Sequence, residues 1–130
     1  NDTATASDVP DVINNSWGGS QGVAQCNSTV VPIFNALEAA GVAVVFSAGN
    51  SGPGVSTITS PKNINTNEVN VFCTGNIQGA VSGFPIANSS SRGPSICTNN
   101  GPELLIKPEV VAPGTSVRSA SGTGGYANLT

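Results

Sequence analysis

Few residues in this chain could do chemistry, and one residue type that matters is missing. Asn50 follows an apolar run, VAVVFSA at 42–48, inside a glycine-bounded corner, GNSGPG at 49–54. Its side-chain amide is a neutral double donor, suited to holding a developing negative oxygen. Cys26, Cys73 and Cys97 are spaced unlike any zinc motif. They allow one disulfide with a thiol left over, or three free thiols; an odd count also admits a partner cysteine outside this stretch. The carboxylates Asp2, Asp8, Asp11, Glu38, Glu68, Glu103 and Glu109 form no D-x-D-x-D-G calcium loop. There is no histidine. Neither a Ser-His-Asp nor a Cys-His nucleophile can therefore be assembled from these residues alone.

Three readings compete for the corner around Asn50. A phosphate cradle is the first, but the spacing is G-x-x-G-x-G rather than G-x-G-x-x-G and no amphipathic helix follows. A nucleotide-binding βαβ domain is thus a remote alternative. A plain turn is the second, with glycines supplying positive φ and the asparagine satisfying the turn's own N–H groups. The third places a polar side chain at the C-terminal end of a buried parallel strand, where open α/β sheets bind ligands.

The elements that must position Asn50 read as follows. Residues 11–16 form a short strand ended by Trp17, Gly18 and Gly19. Ser28 or Thr29 caps a helix whose apolar face is Val30, Ile33, Phe34, Leu37 and Ala40. Pro32 falls in its first turn and Gly41 stops it. Val42 to Ala48 is apolar throughout, the signature of a parallel strand buried on both faces. Strand, helix and strand imply a right-handed crossover. A third strand is expected at 69–74, a short β excursion at 79–87, a fourth strand at 109–112, and loop from 114 to the end. The 130 residues suit one domain.

Composition bounds the partners. A hydrophobic fraction of 38% excludes general disorder, while only 8% of residues are charged. Ser, Thr and Asn supply 42 of the 130 residues, so neutral polar groups keep the chain in solution, as on a loop-rich extracellular surface. The net charge of -3 excludes the basic footprint of a nucleic-acid binder. No apolar run approaches the roughly 20 residues of a membrane helix, so neither nucleic acid nor membrane is an expected partner. No charged-then-apolar signal segment opens the chain.

Four phrases occur in a fixed order: NSWGGS at 15–20, SAGN at 47–50, SSSRGP at 89–94 and IKPEVVAPGTSV at 106–117. With a helix ahead of VAVVFSAGN, they resemble the subtilisin-like serine proteases, the subtilase family, over about residues 11 to 128. The resemblance implies a three-layer α/β fold with a mostly parallel sheet, present here in part. It implies that Asn50 is the oxyanion-hole donor. Ser16, Trp17 and Gly18 would form one wall of the primary specificity pocket, and Ala48 and Gly49 the other, the glycines leaving room for a peptide backbone. Trp17 also reads as an aromatic plug on the sheet. The position of Ser60–Pro61 implies a cis bond. Family members often bind calcium, so calcium is possible as a structural ion, with no cofactor required for catalysis.

The resemblance also implies what lies elsewhere. GGYANLT at the end of the sequence resembles the lead-in to the family's nucleophile, and the family's Asp and His precede the point where this sequence begins. Residues 1–130 would then be the middle of a secreted serine endopeptidase's catalytic domain. Its partners would be a polypeptide substrate and the remaining segments of the parent catalytic domain, without which the chain is inactive. The alternative is a non-catalytic interaction module that keeps the peptide-binding edge.

Overall fold

The computed structural model describes residues 9–18, 26, 28–64, 66–67, 70–98 and 101–129. Four parallel strands make the main sheet in the order β1-β2-β3-β4. They are β1 Val12–Asn15, β2 Ala43–Ser47, β3 Phe72–Ile77 and β4 Val110–Pro113. One helix, α1 Val31–Ala39, crosses from β1 to β2. The expected strand–helix–strand unit is therefore present, with Val12 opposite Ala43 and Asn15 opposite Phe46.

The helix begins later than its polar flank suggests. A 3-10 turn over Ser28–Val30 precedes it, which leaves Val30 at the N-cap position without a side-chain bond. Its end follows the sequence reading closely. Gly41 adopts φ +79, its N–H donates to Glu38 O at 2.9 Å, and the Val42 N–H donates to Leu37 O at 2.9 Å. These two reversed bonds satisfy the last carbonyls, and only a residue without Cβ enters that conformation freely. The face that packs is narrower than its periodicity implied. Phe34 is buried against Val44, Phe46 and Val71, with Val30 and Leu37 alongside. Ile33 points outward and is 60% exposed.

The expectation that Val42 to Ala48 is buried on both faces is corrected. Val42, Val44, Phe46 and Ala48 are buried, but Ala43 and Ser47 are exposed and Val45 is half-buried. The strand alternation is period two, and α1 covers one face only. Across the other face run Asn14, Val45, Thr74, Asn76 and Ala112, which border a shallow open depression. Among the described residues the fold thus has a sheet and one helical layer, two of the three layers expected.

Two other expectations shift. The third strand runs at 72–77, not 69–74: Val71 takes φ +55, a turn conformation, and Val69 lies outside the described residues. The final segment is not loop. Strand β5, Val117–Ala120, pairs antiparallel with β6, Tyr126–Leu129. Gly124 and Gly125, both at positive φ, turn the chain, and Arg118 stacks over Tyr126 at 5.6 Å. Residues 117–120 of the hairpin are all exposed and Tyr126 is 70% exposed, so no buried face with apolar alternation announces it in the sequence. The excursion at 79–87 reduces to one antiparallel bridge between Ile77 and Ile86.

Covalent and ionic ties close the fold. Cys26 pairs with Cys97, and Cys73 stays free and buried. Burial pushes the Cys73 thiol up to about 11, so it stays protonated and inert at neutral pH. Below β3 and β4, the buried Lys107 ammonium pairs with Glu109 and donates to Val71 O at 3.0 Å. The other carboxylate oxygen of Glu109 accepts the Cys73 N–H at 2.8 Å. No described helix is long and apolar enough to cross a membrane.

Candidate active site

The C-terminal ends of β1 and β2 open onto a cleft of roughly 430 Å³. Parallel strands place these ends side by side, which is why residues over thirty positions apart meet there. Ser16, Trp17 and Gly18 leave β1 on one side; Ser47, Gly49, Asn50 and Ser51 leave β2 on the other. Thr59, Lys62 and Ser91 complete the lining. Of the residues singled out in the sequence, Ser16, Trp17, Gly18, Gly49 and Asn50 come together. Ala48 does not line the cleft: it is 2% exposed, its methyl packed with Ile58 and Cys73.

Trp17 packs on the sheet and also borders the cleft. Its ring meets the Phe46 ring edge-on at 5.3 Å, and its Nε1–H donates to Asn15 Oδ1 at 2.9 Å. It is still 52% exposed and borders the cleft. Phe46 in turn meets Phe34 edge-on at 6.0 Å. The wall is thereby fixed to the core through three rings in successive edge-on contact.

The turn around Asn50 is held from outside. Ser91 is the clasp: its N–H donates to Gly49 O at 2.9 Å, and its Oγ accepts the Ser51 N–H at 3.0 Å. The Gly52 N–H donates to Ser89 O at 3.0 Å. Gly49 sits at φ +104, and a Cβ on Gly52 would lie 2.2 Å from Ser90 O, so both glycines are required, for different reasons. The N–H groups of Ser51 and Gly52 are thus engaged internally, unlike the free amides of a phosphate cradle. The Asn50 side chain takes no part in these bonds. It is exposed at the cleft, and its amide has no hydrogen-bond partner among the described residues.

Lys62 was not singled out from the sequence. It lies within TSPKNIN, a polar loop with no periodicity to reveal burial. It is nevertheless only 4% exposed. A Cβ on Gly18 would lie 2.6 Å from Lys62 Nζ, and one on Gly49 3.2 Å. The space that both glycines leave is therefore occupied by the lysine ammonium. Burial lowers the Lys62 pKa, opposed in part by Cys73. The loop carrying it follows the Ser60–Pro61 bond, which is cis. The Ser60 hydroxyl pairs with Asn63 Oδ1 at 3.1 Å, and Ser95 Oγ donates to Asn63 O at 2.7 Å.

The described residues gather no cluster of three or more His, Cys, Asp or Glu that could hold a metal. Asp11 is exposed at the start of β1, and Asp8 lies outside the described residues.

Comparisons with known proteins match this architecture. A profile of the Subtilase family matches residues 3–130. Bacillopeptidase F of Bacillus subtilis (strain 168) is 38% identical over 118 residues, which is 86% of this chain and 7% of that protein. Among solved structures, S41 Psychrophilic Protease superposes with a TM-score of 0.64 at 28% identity, over 92% of this chain and 37% of its own. Sphericase gives 0.62 at 26%, over 92% and 36%. The chain thus spans little more than a third of those structures and a small part of the Bacillus protein.

Proposed function

The chain belongs to the subtilase family, and on that premise we propose that it forms the substrate-binding cleft and one oxyanion donor of a secreted serine endopeptidase. The observation that carries this reading is the Asn50 side chain, exposed at the cleft and without a hydrogen-bond partner among the described residues, while the surrounding turn is satisfied by other groups. A turn-forming asparagine would bond its own loop. A peptide substrate would run along residues 16–18 by main-chain strand addition, its scissile carbonyl near Asn50. A serine nucleophile and its histidine base come from parent segments beyond these residues, since no histidine is present here. As the nucleophile attacks, the carbonyl oxygen becomes an anion. Asn50 Nδ2–H and a backbone N–H donate to it without reorganising, because Ser91 and Gly49 already fix the turn. The proposed chemistry runs on side chains and backbone dipoles, and a bound calcium would serve structure alone.

Secretion fits the Cys26–Cys97 disulfide, which persists in oxidising compartments. The 130 residues alone should hydrolyse nothing.

The test uses the complete parent enzyme and the Asn50→Ala variant. Loss of one oxyanion donor lowers kcat by about 10²–10³, a magnitude that comes from this family and is adopted here. KM and the melting temperature should change little. An unchanged kcat, or a variant whose only defect is a lower melting temperature, refutes the assignment.

A further inference from the structure

Lys62 is the one charged side chain among the described residues lining the cleft. Its surroundings are neutral: Ser16, Ser47, Ser51, Thr59 and Ser91 offer hydroxyls and Gly18 and Gly49 offer space. No carboxylate lies within ion-pair distance of its ammonium among the described residues, and no hydrogen-bond acceptor is assigned to it there. The second buried lysine differs, because Lys107 has Glu109. Burying most of a lysine side chain with no counterion beside its ammonium carries a desolvation cost. Its pKa is lowered accordingly, burial being the leading cause.

From this geometry we propose that Lys62 makes the cleft selective for an acidic side chain, glutamate or aspartate, on the acyl side of the scissile bond. The inference rests on the protease reading above, in which the walls 16–18 and 49–50 bracket that side chain. The ammonium sits between these walls, since hypothetical methyls on Gly18 and Gly49 both fall within contact of Nζ. A substrate carboxylate entering there supplies the missing counterion, and the surrounding hydroxyls bond its remaining lone pairs. A neutral isostere fills the same volume but leaves the ammonium unpaired. A lysine or arginine side chain meets a like charge and is rejected. The two glycines acquire a second role: they make room for the lysine side chain that reads the substrate. Gly18 and Gly49 are thus coupled to Lys62, although they lie 44 and 13 positions before it.

The experiment compares peptides that differ only at the acyl-side residue (Glu, Asp, Gln, Leu or Lys) with the complete parent enzyme. Hydrogen bonds to a buried charge predict kcat/KM about 10- to 100-fold higher for Glu than for Gln. In Lys62→Met, which keeps an unbranched chain one atom shorter and removes the charge, the Glu-to-Gln ratio should fall to about one while Gln and Leu peptides are still cut. That ratio is taken within one enzyme preparation, so it does not depend on the folded fraction. An enzyme that cuts Leu peptides but treats Glu and Gln alike overturns the inference and leaves the protease reading intact. A Glu preference that survives in Lys62→Met also overturns it. An enzyme that cuts none of the series removes the protease reading and this inference with it.

Discussion

Removing the Cys26–Cys97 disulfide should produce the largest change of stability available from a covalent edit in this chain. The bridge joins residues 71 apart. In the chain-entropy treatment, a closed loop of that length restricts the unfolded state by about 4.4 kcal/mol at room temperature. Native-state consequences add to this. Ser95 Oγ accepts the Cys97 N–H at 3.1 Å and donates to Asn63 O at 2.7 Å. One serine therefore ties the bridge to the loop that carries Lys62. The Cys26→Ser/Cys97→Ser double variant of the parent catalytic domain, kept inhibited against autolysis, should lose about 4 kcal/mol in urea unfolding. Residual structure in the denatured state would bring the loss nearer 3. The intact domain, denatured without reductant, should offer one titratable thiol from this stretch, that of Cys73. A stability loss under about 1 kcal/mol refutes the entropic argument, and three titratable thiols refute the pairing itself.

Two further outcomes follow from the buried lysines. Glu109→Gln removes the carboxylate that pairs with the buried Lys107 side chain, which should cost about 3–5 kcal/mol in unfolding free energy; a loss below about 1 kcal/mol would show that the pair is not buried as described. For Lys62 the folded pKa lies below the unfolded one, so the unfolded state binds more protons between them and stability rises with pH across that window. Lys62→Met should abolish that rise and raise stability at neutral pH, within the roughly 0.5–2 kcal/mol usual for relieving a functional strain. Melting curves at neutral and alkaline pH on both proteins read this directly, and a destabilised, pH-sensitive Lys62→Met would contradict it.

Much of the scaffold is legible because its signals are local. Gly41 must end α1, since the chain reverses there at positive φ, and an apolar strand follows at once. Asn50 could be picked out because a strand of one period delivers it to a corner of glycines. What stayed hidden is set by contacts between distant segments. Whether Val45 faces a helix or solvent depends on which layer covers the second face, and nothing in VAVVFSA encodes that. The hairpin at 117–129 is held by backbone pairing, with 117–120 exposed on both faces, so side-chain pattern had little to report. Ala48 looked like a wall of the cleft, but strand alternation turns its methyl into the core beside Ile58 and Cys73.

The two buried lysines show why one part of the site was beyond the sequence and which observation recovers it. The chain has only four cations, and a sequence reading treats each as a solvated group. In KPE the acid sits two residues after Lys107, so a structural pair could have been guessed from spacing. In SPKNIN no acid follows Lys62 until Glu68, which lies outside the described residues. Burial alone does not separate the two lysines, since both are under 10% exposed. The separation comes from satisfaction. Lys107 has a carboxylate and a carbonyl, which makes it part of the fold's own wiring. Lys62 has two glycine gaps and an open cleft. A protein that needed only stability would gain by replacing such a residue with an apolar one of equal length. The presence of a charge at that place, with no counterion among the described residues, is the physical reason to look for its partner in the substrate.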